Sequence, residues 1–152
     1  MKKLLAILLF LFPALFLLSQ SSISSLKEQL ASAKDDSTRL IFLNGLFYEY
    51  LYSYSDSSLP YVQQEILLAK KMHSDLALSK AYIDYSAFFE IIVEHLEALR
   101  FNLETLKLGE KSKNILTIGM VYTNMADVYY DEGDYENSLL ISTKAKSLME
   151  EH

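Results

Sequence analysis

The chain has 152 residues, 51% of them apolar, and carries a net charge of −6. That is one domain's length with ample material for a core, and the acidic balance disfavours a phosphate backbone as partner. The absence of cysteine excludes a disulfide framework, thiolate chemistry and lipid attachment at a signal-proximal cysteine.

Residues 1–21 differ in kind from the rest. Lys2 and Lys3 precede an apolar run from Leu4 to Leu18, and Ser19-Gln20-Ser21 follows with small residues at the two positions a signal peptidase reads. A basic start, an apolar stretch and a small-x-small site define a secretory signal peptide; a membrane-spanning helix usually needs about 20 apolar residues. The expectation is an exported, periplasmic or extracellular protein, with membrane attachment only through an uncleaved leader. Without residues 1–21 the chain keeps 12 of its 14 basic residues and all 20 acidic ones, a net charge of −8. No long basic block remains to grip anionic lipid.

From Ile23 onward, apolar spacing predicts about seven helices in residues 22–152. A short helix over 23–34 carries Ile23, Leu26, Leu30 and Ala33, and Asp36 or Ser37 is the expected cap of the next. That helix carries Leu40, Leu43, Leu46, Phe47 and Tyr50. A polar break over 53–58 follows, with Asp56 as N-cap and Pro60 confined to the first turn of the partner helix, which runs through Val62, Ile66 and Ala69 to about Met72. Ser74-Asp75 opens a second pair, with Ala81, Tyr82, Tyr85, Phe88 and Phe89 on its apolar face. Its return helix is expected to begin near His95 or Leu96 and to stop at Gly109. A third pair starts around 112–116 and turns at Gly133-Asp134; its last helix carries Tyr135, Leu139, Ile141, Ala145 and Leu148. The aromatic residues recur every three or four positions rather than every second one, so strands are not expected.

A register of 40 residues runs through these pairs. It aligns Ser58, Ala98 and Ser138, then Leu59, Leu99 and Leu139, then Tyr61, Phe101 and Ile141, then Leu68, Leu108 and Leu148. Two helix-length apolar patterns repeated at such a period are the mark of a helical solenoid, whose units stack because none can bury a face alone.

The third window, Tyr122 to Leu139 with Ala145 and Leu148, resembles a tetratricopeptide repeat. Met125, Ala126, Tyr129, Ser138 and Ala145 occupy that family's bulky and small columns, and Gly133-Asp134-Tyr135 its common turn. The second window keeps Ser86, Phe89 and Ala98 but has Thr105 in the alanine column. The first fits with a one-residue deletion, with Phe47 in a small column and Glu65 in the alanine column. The resemblance spans Leu40 to Glu151 and implies an all-α, right-handed α-solenoid with repeats at about 38–73, 75–110 and 112–151. The arrangement also resembles the exported N-terminal segments of bacterial envelope sensors. That resemblance implies a second reading, the sensing portion of a truncated histidine kinase or transcriptional regulator.

In tetratricopeptide proteins the first helix of each pair lines a peptide-binding groove. The matching columns are Ile41, Asn44, Tyr48, Leu51 and Tyr52, then Lys80, Ile83, Ala87, Glu90 and Ile91, then Met120, Thr123, Asp127, Tyr130 and Asp131. Lys80 is the only cation there, against Glu90, Asp127 and Asp131, so a carboxylate clamp is not expected. The resemblance implies a neutral to basic protein or peptide segment as partner, held on an aromatic floor with an acidic end. Leu140, Ile141, Leu148 and Met149 are expected to leave an apolar edge on the last helix, through which copies associate weakly.

Catalytic chemistry finds no support. Three histidines without cysteines make a poor metal set, and His95, near Glu90 and Glu94, falls in a tyrosine column. The four glycines are scattered, so no phosphate loop exists, and no serine sits between glycines as a nucleophile elbow does. Neither enzyme activity nor a cofactor is expected.

Overall fold

The computed structural model describes residues 22–53 and 55–151, so the leader read at 1–21 lies outside the described residues. Among these, seven helices and no strand are present: α1 (22–32), α2 (Asp36–Leu51), α3 (Ser55–Lys71), α4 (Asp75–Ile91), α5 (His95–Ser112), α6 (Ile115–Asp131) and α7 (Tyr135–Glu150). From α2 onward each helix packs on the next in the chain, and α4 also touches α6. The chain is therefore an α-solenoid whose units lean on their neighbours. No described helix is long and apolar enough to cross a membrane.

The turns are more regular than the repeat alone requires. His73, Val93, Lys113 and Gly133 all have positive φ, at 20-residue intervals. At each, the amide of the following residue reaches back five residues: Ser74 to Ala69 (3.2 Å), Glu94 to Phe89 (2.8 Å), Asn114 to Gly109 (2.9 Å) and Asp134 to Tyr129 (2.8 Å). This is the Schellman arrangement, closing one helix with a left-handed residue. The same amide belongs to the N-cap of the next helix. Ser74, Asn114 and Asp134 then accept from the amides of Ala77, Thr117 and Asn137, which satisfies two helix ends with three residues.

Three boundaries differ from the sequence expectations. Asp35, not Asp36 or Ser37, caps α2, accepting from the Thr38 amide and hydroxyl, each at 2.8 Å. Two carboxylate oxygens meet two donors there, which a serine could not do. Pro60 sits inside α3 rather than in its first turn. The polar stretch 55–58 adds a turn before it, so Asp56 lies within the first turn at the positive helix end rather than at the N-cap expected for it, and Pro60 withholds one N–H from the carbonyl four residues back. Gly109 does not end α5, which runs on to Ser112. A Cβ at Gly109 would stand 3.0 Å from Ile118 Cγ1, so glycine is there to let α6 approach.

The small columns lie where helices cross. Ala98 and Ser58 are wholly buried, Ala126 and Ala145 nearly so, and Ser86 donates its hydroxyl to the Ala98 carbonyl at 3.1 Å. Around this seam Phe47, Leu51, Val62 and Phe88 form a buried core. Tyr85, Phe89 and Phe101 continue it as a ring cluster, with Phe89 and Phe101 stacked at 5.7 Å. At the front, Leu26 of α1 packs where Gly45 has no side chain, and Ser22 donates to Glu49 at 3.0 Å.

Candidate functional site

The first helices of the three pairs, α2, α4 and α6, carry most of the exposed apolar residues in the groove columns. Ile41 is 68% exposed, Tyr52 75% and Tyr130 61%, while Ile91 and Met120 are also open. Such residues are stable in water only at the cost of ordering it, and contiguous apolar exposure marks contact surfaces. Lys80, Thr123, Asp127 and Asp131 are exposed, and Ile83, Ala87 and Glu90 are half-buried. Leu51 departs from the groove expectation. It is buried in the core, clustered with Phe47, Val62 of α3 and Phe88 of α4.

The acidic end is electrostatically strained. Burial pushes the Glu90 carboxyl above its ordinary range; Asp127 and Asp131 add to this, while the Ser86 hydroxyl, 3.2 Å away, opposes it. Asp127 is raised likewise, by burial and by Asp131. Three carboxylates sharing one end of the row favour a positively charged neighbour. His95, expected to be a turn histidine rather than a ligand, pairs through Nδ1 with Glu132. The described residues contain no cluster of His, Cys, Asp or Glu that could hold a metal.

Asn44 and Tyr48 are bound to a buried acid rather than left free for a partner. Asn44 Nδ2 donates to Asp84 Oδ2 at 2.7 Å, and the Tyr48 hydroxyl donates to Asp84 Oδ1 at 2.6 Å. Asp84 is buried, and so is Glu65 of α3, which hydrogen-bonds with it. Burial, then the neighbouring Asp84, push Glu65 up to about 9, and burial raises Asp84 against the opposing bonds from Tyr48, Glu65 and Asn44. Near neutral pH the two carboxyls therefore share one proton: Glu65 is protonated and Asp84 is the acceptor of three donors. Burial beside Asp84 also raises the Tyr48 phenol, which stays neutral.

Reading the sequence for groove residues missed Glu65 and Asp84. The signal was present in the register. Glu65 breaks a column otherwise Thr105 and Ala145, and Asp84 falls in a polar column with Asn44 and Asn124.

Comparison with known families adds one finding. Residues 19–150 match the family model described as the SusR N-terminal TPR domain. That is most of the chain, and the chain belongs to this family. Among curated proteins none matches it.

Proposed function

We propose that this member of the SusR N-terminal TPR domain family is a non-catalytic scaffold that holds a neutral to basic peptide segment outside the cytoplasm. Helical repeats of this kind typically bind protein. The observation that carries the finer reading is the exposed row Ile41, Tyr52, Met120 and Tyr130 on alternate helices, ending among Glu90, Asp127 and Asp131. Aromatic and Met side chains give contact area at modest ordering cost, and the carboxylates select for positive charge. Asn44, Lys80, Ile83 and Thr123 flank the bound chain. Tyr48 offers its ring only, since its hydroxyl is committed to Asp84. The basic start and apolar run at the N-terminus support export.

The test is affinity capture from envelope extract, comparing the parent with an Ile41, Tyr52 and Tyr130 triple alanine variant. Tyr48 stays intact there, because its removal would strip a donor from buried Asp84. Loss of the captured partner with an unchanged helical spectrum supports the groove; unchanged capture overturns it.

A second reading is favoured by the family description itself, which places this domain at the N-terminus of SusR. In that reading the chain is the ligand-sensing portion of a signalling protein. Reading the gene past codon 152 separates the two: a membrane helix followed by a kinase or DNA-binding module favours the sensor. Of the apolar edge expected on α7, Leu140 and Met149 are exposed and Ile141 and Leu148 half-buried; the exposed pair belongs to either reading as a surface for weak self-association. A monomeric mass at micromolar concentration removes it.

A further inference from the structure

Three helices of two repeats meet on one buried pair of carboxyls. Asn44 and Tyr48 of α2 donate to the two oxygens of Asp84 on α4, at 2.7 Å and 2.6 Å. Glu65 of α3 hydrogen-bonds with the same Asp84. Glu65 is 3% exposed and Asp84 4%. At the second junction Phe88, Thr105 and Asn124 take the places of Tyr48, Glu65 and Asp84, and none of them titrates near neutral pH. Stacking one repeat on the next therefore does not require acids at this crossing.

Two carboxyls in hydrogen-bond contact out of water are stable with one proton between them and unstable with none. The groups facing the pair are Asn44, Tyr48 and Tyr52 from α2, with Lys80 from α4 beside Asp84 itself. Lys80 is exposed and acts on Asp84 from the surface. Asn44 Nδ2 and the Tyr48 hydroxyl are already given to Asp84, and Glu65 Oε1 has no donor. A second negative charge finds no local partner, so only contact with water relieves it. Burial and the adjacent Asp84 push Glu65 up to about 9, which puts release of the proton on the alkaline side of neutrality.

The connection between α3 and α4 decides where the junction can give. The two helices are joined at 72–74, where His73 is left-handed and the Ser74 amide closes on the Ala69 carbonyl. That turn holds one end of the junction together. At the other end stand Tyr52, which closes α2, and Ile91, the last residue of α4; both are exposed. We propose that this junction is a hinge, pivoting at the turn 72–74 and held shut by the one proton that Glu65 and Asp84 share, so that loss of the proton parts the far ends of α2 and α4. The hinge does not rest on the peptide reading. Tyr52 and Ile91 both stand in groove columns, however, so its opening widens the groove at the first junction and leaves the second as it is.

Because the chain has no cysteine, a pair of introduced cysteines carrying spin labels reports a single distance. Tyr52→Cys with Ile91→Cys spans the first junction, and Ile91→Cys with Tyr130→Cys spans the second; all three positions are exposed. Double electron–electron resonance on the full chain, frozen from about pH 6.5 and from about pH 9.5, measures both. The first distance is expected to lengthen by a few ångströms at the alkaline value and to recover on return, with the second unchanged. Glu65→Gln cannot acquire the second charge and should keep the first distance short at both values. Asp84→Asn leaves a single carboxyl and should do the same. A first distance that does not move in the parent, equal lengthening across the second junction, or lengthening that persists in Glu65→Gln or Asp84→Asn overturns the hinge.

Discussion

The Tyr48 hydroxyl donates to Asp84 Oδ1 across 2.6 Å, joining the first helix of one repeat to the first helix of the next. Equivalent positions forty residues on are Phe88 and Asn124, so this polar tie is peculiar to the first junction. Hydrogen bonds to charged groups contribute about 1.5–3 kcal/mol. Tyr48→Phe, which keeps the ring, is expected to lower unfolding free energy by roughly 2 kcal/mol in urea titration, with the slope unchanged. A loss under about 0.5 kcal/mol would mean that Asp84 finds another donor.

The carboxyl pair gives stability a pH dependence of uncommon sign. Glu65 is pushed up to about 9 in the folded chain, and Asp84 is raised as well. In the unfolded chain Glu65 titrates near the usual glutamate value of about 4.3. Between these values the folded state holds a proton that the unfolded state has released. Stability is therefore fully present below about pH 4 as far as this group is concerned, and falls as pH rises toward about 9, by at most about 1.4 kcal/mol per pH unit. Asp35 and Asp134 are lowered by hydrogen bonds from Thr38 and Asn137. They act the opposite way, but only at pH values below the usual aspartate range. Melting temperature should thus fall from mildly acidic to mildly alkaline pH in the parent, and Glu65→Gln should flatten that slope. A parent more stable on the alkaline side would refute the shared proton.

Val93 adopts φ 61° in a turn where glycine stands forty residues later, at Gly133 with φ 76°. A left-handed conformation costs an L-residue about 1–2 kcal/mol, and a β-branched one is the worst suited. Val93 is exposed, so little packing offsets the strain. Val93→Gly is expected to raise stability by about 1 kcal/mol, or a few degrees in Tm, less part of the gain through glycine's greater unfolded freedom. Gly133→Val should lose at least as much. Unchanged Tm in both would show that the turn relaxes.

Asn102 is 0% exposed, and neither its Oδ1 nor its Nδ2 has a partner. The same column holds buried Val62 in the preceding repeat. Replacing an unsatisfied buried amide by an apolar group of similar size removes a desolvation penalty of about 1–3 kcal/mol. Asn102→Val should therefore stabilise the chain in thermal unfolding, whereas a loss of stability would reveal a donor or acceptor serving that amide.

How much could be read before any coordinate depended on what kind of contact each residue makes. Ala98, Ala126 and Ala145 announced the crossings, because only small side chains fit there and the register repeats them. Gly133-Asp134 announced its turn because each residue's local chemistry suffices. The other turns were harder, since His73, Val93 and Lys113 take the same left-handed geometry without being glycine. Pro60 and Gly109 misled for a related reason. Each was read as a helix boundary from its own propensity, whereas the polar stretch before Pro60 and the approach of Ile118 to Gly109 override propensity.

The groove columns were legible as a row, but not the division of labour within it. Asn44 and Tyr48 look like partner-facing residues until Asp84, distant in sequence and brought close by stacking, takes their hydrogen bonds.

By itself the sequence determined the helices, their 40-residue register and the family, because periodicity and small-residue columns are local and repeated properties. Only the tertiary structure decided which polar side chains face each other across helices. That choice created the shared proton of Glu65 and Asp84. A carboxyl's protonation depends on desolvation and neighbouring charge, and neither exists until the helices pack.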